Sequence, residues 1–425
     1  MKTYRNPPVS KWPALCQRPL ADQNNLETIV RDIFEVVKAE GDGALLDYTR
    51  RFDGVAVDSI AVSQVQLAKW AAKTPKNLKA AINQAYANIT KFHAAQKDAL
   101  LPIIVETQPG VRCWREPRPI ERVGLYIPGG SAPLLSTVLM LGVPAQLAGC
   151  REIVLCTPPG SDGSISTAIC YAAGLVGATK VMRIGGSQAI AAMTCGTLSV
   201  PEVDKIFGPG NQYVTAAKLY AGRLGVAIDM PAGPSELMVV ADTSARADFV
   251  AADLLSQAEH GPDSQVVLVT TDNSLAKDVE KALVSQLSAL PRRKIAEQAL
   301  SNSFCVIFAN MSQALAFANE YAPEHLILSV NKPRKAAKQV QNAGSVFLGN
   351  YSPESAGDYA SGTNHTLPTN GWTRSYGGLS LKSFYKYVTF QSITKSGARR
   401  LAPTVMAMAQ AEGLEAHKRA MEIRL

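Results

Sequence analysis

The sequence predicts an α/β protein with two doubly wound units, preceded by N-terminal helices and closed by a small C-terminal helical segment. Three observations support this. From Arg122 onward, short Val- and Ile-rich runs ("RVGLYIP", "EIVLCTP", "KVMRIG", "VDKIFG", "GVAIDM") each end in a Gly or Pro turn, and the first four lead into helical stretches. That rhythm is the signature of parallel strands joined by crossover helices. A second series, "ELMVVAD" (236–242), "QVVLVTT", "FCVIFAN", "HLILSV" and "GSVFLGN", repeats it. The length of 425 residues leaves room for two or three domains.

The remaining segments follow from spacing. "LETIVRDIFEVVKAEGDGALLDYTRRF" places apolar residues at helical intervals, and the helical pattern runs from about Asn25 to Asp98. His93, in "YANITKFHAAQ", reads as a surface or core histidine on such a helix. A last helical stretch covers about Ser392 to Leu425. The chain divides into an extension (1–24), one α/β domain made of 25–121 and 235–371, a second made of 122–234, and a helical segment, 372–425. No fixed-period repeat or low-complexity linker interrupts it.

Composition narrows the function. Hydrophobic residues are 47% and charged residues 18%, ordinary for a globular protein with a sizeable core. The formal charge of +8 is scattered, and pairs such as Arg50-Arg51 and Arg399-Arg400 are too short for a nucleic-acid patch. Anionic small molecules are the better match. The N-terminus "MKTYRNPPVSKW" lacks the apolar region of a secretory signal. No apolar run reaches the ~18 residues of a membrane helix. Seven cysteines without a CxxC pair suggest reduced thiols and a cytoplasmic location.

Ligands of open α/β sheets bind beyond the carboxyl ends of the strands. In the first series those ends carry "PGGSAP" (128–133), "GGSQA" (185–189) and "GPGNQ" (208–212). Glycines there let backbone N–H groups approach a phosphate or a flat ring. The GxGxxG fingerprint is missing, because Tyr213 stands where its third glycine would be. Three such loops on one edge still favour a nucleotide-sized ligand over plain turns, and the units read as Rossmann-like.

Metal candidates begin in "LLSQAEHGPDS" (254–264). Helical spacing puts Val250, Leu254 and Gln257 on one stripe, with His260 one turn further, while Glu259 points away. Carboxylate is the better zinc ligand, which favours Glu259; the shared face favours Gln257. Alone, a QxxH pair is common, and a solvated helix end is its more frequent meaning. The long polar stretch 351–371 contains Asp358 and His365, and stretches of this kind are usually functional. In "AQAEGLEAHKRAMEIRL", Leu414, His417 and Met421 share a face. His417 fits a satisfied core position, or it completes a mixed N/O ligand set with Gln257, His260 and Asp358. Glu324-His325, before an apolar strand, can serve as two acid/base groups or as a solvent-facing turn pair.

Taken together, "RVGLYIPGGSAPLLSTVLMLGVPA", "FGPGNQYV", "DMPAGPSE", "LLSQAEHGPDSQ", "NEYAPEHL", "GDYASGTNHTLPT" and "AEGLEAHKRA" resemble the histidinol dehydrogenase family, in order from about 120 to 420. The resemblance implies an aldehyde-dehydrogenase-like fold. It also implies an intertwined homodimer whose 372–425 segment completes the partner's active site. The implied reaction is NAD-dependent oxidation of L-histidinol through L-histidinal to L-histidine, with one zinc ion per subunit. Carried over residue by residue, Gln257, His260, Asp358 and His417 match zinc ligands that also touch substrate, and Glu324 and His325 match the catalytic pair. Ser235, His325 and Glu412 match substrate contacts. Tyr126, Gln188 and Asn211 match NAD contacts in the 122–234 domain. For the open choice at 257–260, the resemblance selects Gln257.

Two other classes compete. A thiol-dependent aldehyde dehydrogenase would use Cys113 or Cys150 as nucleophile. A non-catalytic zinc- or nucleotide-binding protein could keep the scaffold, although the Glu324-His325 pair argues against it. A zinc hydrolase would leave the three glycine loops without a purpose.

Overall fold

The computed structural model describes residues 1–18, 23–129 and 133–425; part of the extension and of the "PGGSAP" loop lie outside the described residues. Two six-stranded sheets carry the fold. Across the first, the order is Ala61–Val62, Lys180–Arg183, Glu152–Thr157, Arg122–Tyr126, Lys205–Phe207 and Ala227–Ile228. Across the second it is Lys2–Arg5, Phe304–Ile307, Gln265–Thr270, Glu236–Ala241, His325–Ser329 and Ser345–Leu348. All pairings are parallel except that of Ala61–Val62 with Lys180–Arg183.

Strands such as Gln265–Thr270 are buried along their whole length. Helices cover both faces of the sheet, which explains why these strands read as unbroken apolar runs and not as alternating ones. In both sheets the chain steps outward from its first long strand, then returns to that strand's other side. The order therefore reverses between Arg122–Tyr126 and Lys205–Phe207, and between Glu236–Ala241 and His325–Ser329. Crevices form at such reversals.

The structure departs from the sequence reading in three places. Helices Gln23–Glu40, Gln64–Ala72 and Lys76–Ala94 bury Val30, Phe34, Leu67, Ile82 and Ile89 against the 122–234 sheet, although the boundaries grouped 25–121 with 235–371. Lys2–Arg5, assigned to an extension, is an edge strand of the second sheet beside Phe304–Ile307. The 372–425 segment is not wholly helical. Tyr385–Ile393 is a strand pairing antiparallel with Val111–Pro119, and Val105–Gln108 completes a small third sheet. Its aromatic and β-branched residues, Tyr385, Tyr387 and Thr389, recur at the strand period of two. Helices Lys395–Ala411 and Glu415–Glu422 follow as expected. His93 is a core histidine, fully buried beside the Asn364 amide at 3.3 Å.

One buried ion pair shapes the functional edge of the first sheet. Lys218 Nζ lies 2.5 Å from Asp229 Oδ1, with both side chains almost wholly excluded from solvent. The ammonium also donates to the Gly208 carbonyl (2.8 Å), and the Gly208 N–H donates to Asp229 Oδ2 (2.8 Å). The Gly208 turn is thus closed from both sides. Its φ of +130° and the 2.2 Å a Cβ would have to the Tyr126 carbonyl oxygen admit only glycine. Lys218→Met leaves the Asp229 carboxylate buried and unpaired, so denaturation should show a loss of roughly 3–5 kcal/mol. Retained stability would mean that Asp229 is solvated or protonated in the variant.

Candidate functional site

The carboxyl edge of the first sheet is built as the glycine loops required. Tyr126 ends its strand with its hydroxyl accepting the Gly186 N–H at 3.1 Å. Burial pushes its pKa up to about 12, so the phenol stays protonated and keeps a hydrogen to donate. Gly186 (φ +64°) opens the helix Gly186–Cys195, whose first turn carries the buried Gln188. Asn211 caps the helix Gln212–Arg223, its Oδ1 accepting from the N–H groups of Tyr213 (3.0 Å) and Val214 (3.1 Å). Its amide nitrogen then remains available to a ligand. Tyr126, Gln188 and Asn211 thereby share one edge.

The second sheet works from its opposite edge. Glu324 and His325 stand at the amino end of His325–Ser329, which places Leu237 in register with His325. Ser235 lies just before Glu236–Ala241, and helix Ala247–Ala258 delivers Gln257 and His260 to that side. The polar segment after Ser345–Leu348 holds the short helix Glu354–Tyr359, which adds Asp358. This segment also reaches across to the first unit: His365 Nε2 lies 3.2 Å from Thr137 Oγ1, and Asn364 Nδ2 donates to the Met140 carbonyl.

Contacts around the His325 ring favour one tautomer. Nδ1 faces the Glu236 carbonyl at 3.4 Å and Glu354 Oε1 at 3.4 Å. A carbonyl can only accept, so Nδ1 carries the hydrogen and Nε2 keeps a lone pair. Nε2 has no hydrogen-bond partner and sits 3.7 Å from Asp358 Oδ1. Burial, with the nearby His365 and His260, drives the pKa of His325 down to about 3, so the ring is neutral. Burial likewise lowers His365 to about 4.

Carboxyl groups respond in the other direction. Burial raises Glu324 well above the usual carboxylate range, and the Glu236 and Asp358 charges add to it, against the bond from the Glu236 N–H to Glu324 Oε2 (2.9 Å). Glu354 is raised in the same way, and burial lifts Asp358 and Asp253 to about 7. Acidic groups crowded in a dry pocket favour a bound cation.

Gln257 is fully buried, and both its amide atoms lack a partner. An orphaned buried amide is expensive unless something absent here engages it. Glu259, by contrast, is the half-buried C-cap of its helix. His260, one residue on, is exposed at the rim. Among the described residues, the group of His, Cys, Asp and Glu side chains able to share an ion is His325, Glu354 and Asp358, with ligand atoms within 4.8 Å of one another. Glu412 and His417 are not part of it. Both are exposed, and the helix of His417 packs on Lys395–Ala411.

Glu354 escaped the sequence reading although a signal existed. It precedes Asp358 by four residues, so one helical face presents both carboxyls. The competing nucleophiles fare poorly. Burial holds the Cys150 thiol up at about 12, which leaves almost no thiolate at neutral pH. Cys113 sits in the small third sheet.

Comparisons with known proteins identify the family. The family model described as histidinol dehydrogenase matches residues 16–425. A histidinol dehydrogenase of Photobacterium profundum is 55% identical over 415 residues, covering 97% of this chain and 92% of that protein. One from Bacteroides thetaiotaomicron is 52% identical over 425 residues, covering 100% and 99%. The crystal structure of histidinol dehydrogenase from Elizabethkingia anophelis has a TM-score of 0.96 at 54% identity, covering 100% of this chain and 98% of that one. In fold alone, a betaine aldehyde dehydrogenase from Staphylococcus aureus is similar at TM-score 0.51 and 13% identity, covering 88% and 84%. The chain belongs to the histidinol dehydrogenase family.

Proposed function

We propose that this chain catalyses the NAD-dependent, four-electron oxidation of L-histidinol through L-histidinal to L-histidine, closing histidine biosynthesis. The observation that carries this reading at the site is the buried His325 ring, whose Nδ1 faces a backbone carbonyl and whose unpaired Nε2 lies beside Asp358. In the first oxidation, Nε2 accepts the alcohol proton while hydride leaves the carbinol carbon for NAD. In the second, the ionised Glu324 takes a proton from water attacking the aldehyde, and a second hydride leaves the resulting hydrate. Tyr126, Gln188 and Asn211 hold the dinucleotide, and the two sheets correspond to the doubly wound pair of aldehyde dehydrogenases.

The residues present fit a zinc ion. Gln257 offers an otherwise unpartnered amide oxygen, Asp358 a carboxylate that burial disfavours without a cation, and His260 an imidazole at the rim. The partner subunit's His417 completes the set in a homodimer, which accounts for the exposure of His417 and Glu412 in a single chain. Ser235, with Glu412 from the partner, then contacts the substrate. Bound there, zinc supplies positive charge that orients the substrate's imidazole and amine. The thiols form no disulfides, in keeping with a cytoplasmic enzyme, and among the described residues no helix is long and apolar enough to cross a membrane.

Three outcomes test the reading. The first is stoichiometric: two NADH should form per histidinol consumed, with turnover lost on chelation and restored by zinc. One NADH per histidinol would mean an ordinary alcohol dehydrogenase. The second uses pH. A carboxyl raised above its ordinary pKa of about 4.3 is protonated, and useless as a base, until the pH climbs past the raised value. Histidinal oxidation should therefore fall as pH drops, along a limb above the usual carboxylate range, and Glu324→Gln should remove the limb and leave only a small residual rate while sparing histidinol oxidation. Equal loss in both steps would refute the divided roles. The third concerns the neutral amide: Gln257→Glu should retain zinc more tightly through dialysis and turn over more slowly, and unchanged retention would count against Gln257 as a ligand.

A further inference from the structure

Arg18 comes from the N-terminal segment, more than two hundred residues before the site in sequence, yet its side chain is buried at the site's back wall. Its Nε and Nη2 donate to Glu236 Oε1 (3.1 Å) and Oε2 (2.8 Å), a two-pronged match to a carboxylate. The same Nη2 donates to the Tyr321 carbonyl (2.7 Å), and Nη1 to that of Cys16 (2.6 Å). The guanidinium plane lies 3.6 Å above the Tyr321 ring, whose hydroxyl donates to Gln265 Oε1 at 2.8 Å. Glu236 Oε1 also accepts the Asn370 N–H.

These contacts join two backbone segments that meet at the acid/base pair. Tyr321 leads through Ala322, at a positive φ of 54°, and Pro323 into Glu324. Glu236 contributes the N–H that bonds Glu324 Oε2, and its carbonyl is one of the two acceptors facing His325 Nδ1. Whatever fixes Glu236 against Tyr321 therefore fixes the carboxyl of Glu324 and the ring of His325 together. Arg18 bonds both segments with one side chain.

We propose that Arg18 is a positioning residue of the active site: through Glu236 and the Tyr321 carbonyl it holds Glu324 and His325 in mutual register. The inference rests on the roles proposed above for that pair. Arg18→Lys keeps the positive charge but loses the planar fork and the stacking surface.

The expected result is a fall on the order of tenfold or more in kcat for histidinal oxidation, with KM values for histidinal and NAD within about twofold. The deciding measurement is the double variant with Glu324→Gln. If Arg18 acts through Glu324, adding Arg18→Lys to Glu324→Gln should cost little further activity in histidinal oxidation. Losses that multiply in full, or a kcat for Arg18→Lys within about twofold of the parent, overturn the proposal. Undiminished histidinal oxidation in Glu324→Gln alone would instead sink the reading of Glu324, and the proposal with it. Should Arg18→Lys fail to fold, Glu236→Gln breaks the same fork at its other end while keeping an acceptor for the Asn370 N–H, and it carries the same cycle.

Discussion

Asp253, Glu324, Glu354 and Asp358 crowd into one poorly hydrated region, where burial makes each of them hard to ionise. A carboxyl group in such a place either keeps its proton or acquires a positive neighbour. The histidines do not supply that charge, because the same burial keeps His325 and His365 neutral. The chain thus buries carboxyl groups with no cationic side chain among the described residues to ionise them, and it also buries Gln257 with both amide atoms unpaired. In the zinc site proposed above, one cation would bring these costs down together, by making ionised Asp358 favourable and by giving the Gln257 amide oxygen a partner.

The two sheets place the acidic pocket and the proposed dinucleotide site on different edges. The first sheet presents its carboxyl edge, where helix N-termini and glycine turns suit phosphates and flat rings. The second presents its amino edge, where the ends of helices and the starts of strands bring together residues of opposite proton affinity. Segment 351–371 links the two, since Asn364 and His365 contact helix Leu135–Ala148 of the first unit while Asp358 serves the second. The proposed dinucleotide and acid/base residues therefore belong to different sheets, and Asn364 and His365 tie the linking segment to the first.

The long strands were legible because a sheet covered on both faces needs continuous Val and Ile, which leaves a pattern few helices share. Tyr385–Ile393 was readable by its alternation, yet its surroundings of Gly, Ser and Lys resembled a loop leading to a helix. Lys2–Arg5 carried no such signal. "KTYR" is a strand only because Phe304–Ile307 offers it an edge, and partners that distant in sequence cannot be inferred from local pattern. In the site, the i, i+3 spacing pointed to Gln257 before any resemblance did, and its burial with an unpaired amide supports that face over that of Glu259. Glu412 and His417 are the opposite case: their sequence motif is clear, and a single chain leaves them in solvent. Arg18 left no trace at all, since its meaning lies in where Glu236 and Tyr321 meet.

The two buried ion pairs make a common point about why charge is kept in such cores. Lys218–Asp229 closes the Gly208 turn at the edge proposed to hold the dinucleotide, and Arg18–Glu236 joins the segments behind Glu324 and His325. As stability devices they are poor choices, because apolar side chains of similar volume often do as well or better. What an apolar pair cannot do is hold a particular carbonyl or N–H at a set distance. Lys218 and Asp229 bond the carbonyl and the N–H of the same glycine, and Arg18 bonds the carbonyl next to the Glu324 turn. In each sheet the charge is placed beside the end of a strand, so directional bonds, and not the burial of area, set the geometry of the loop there.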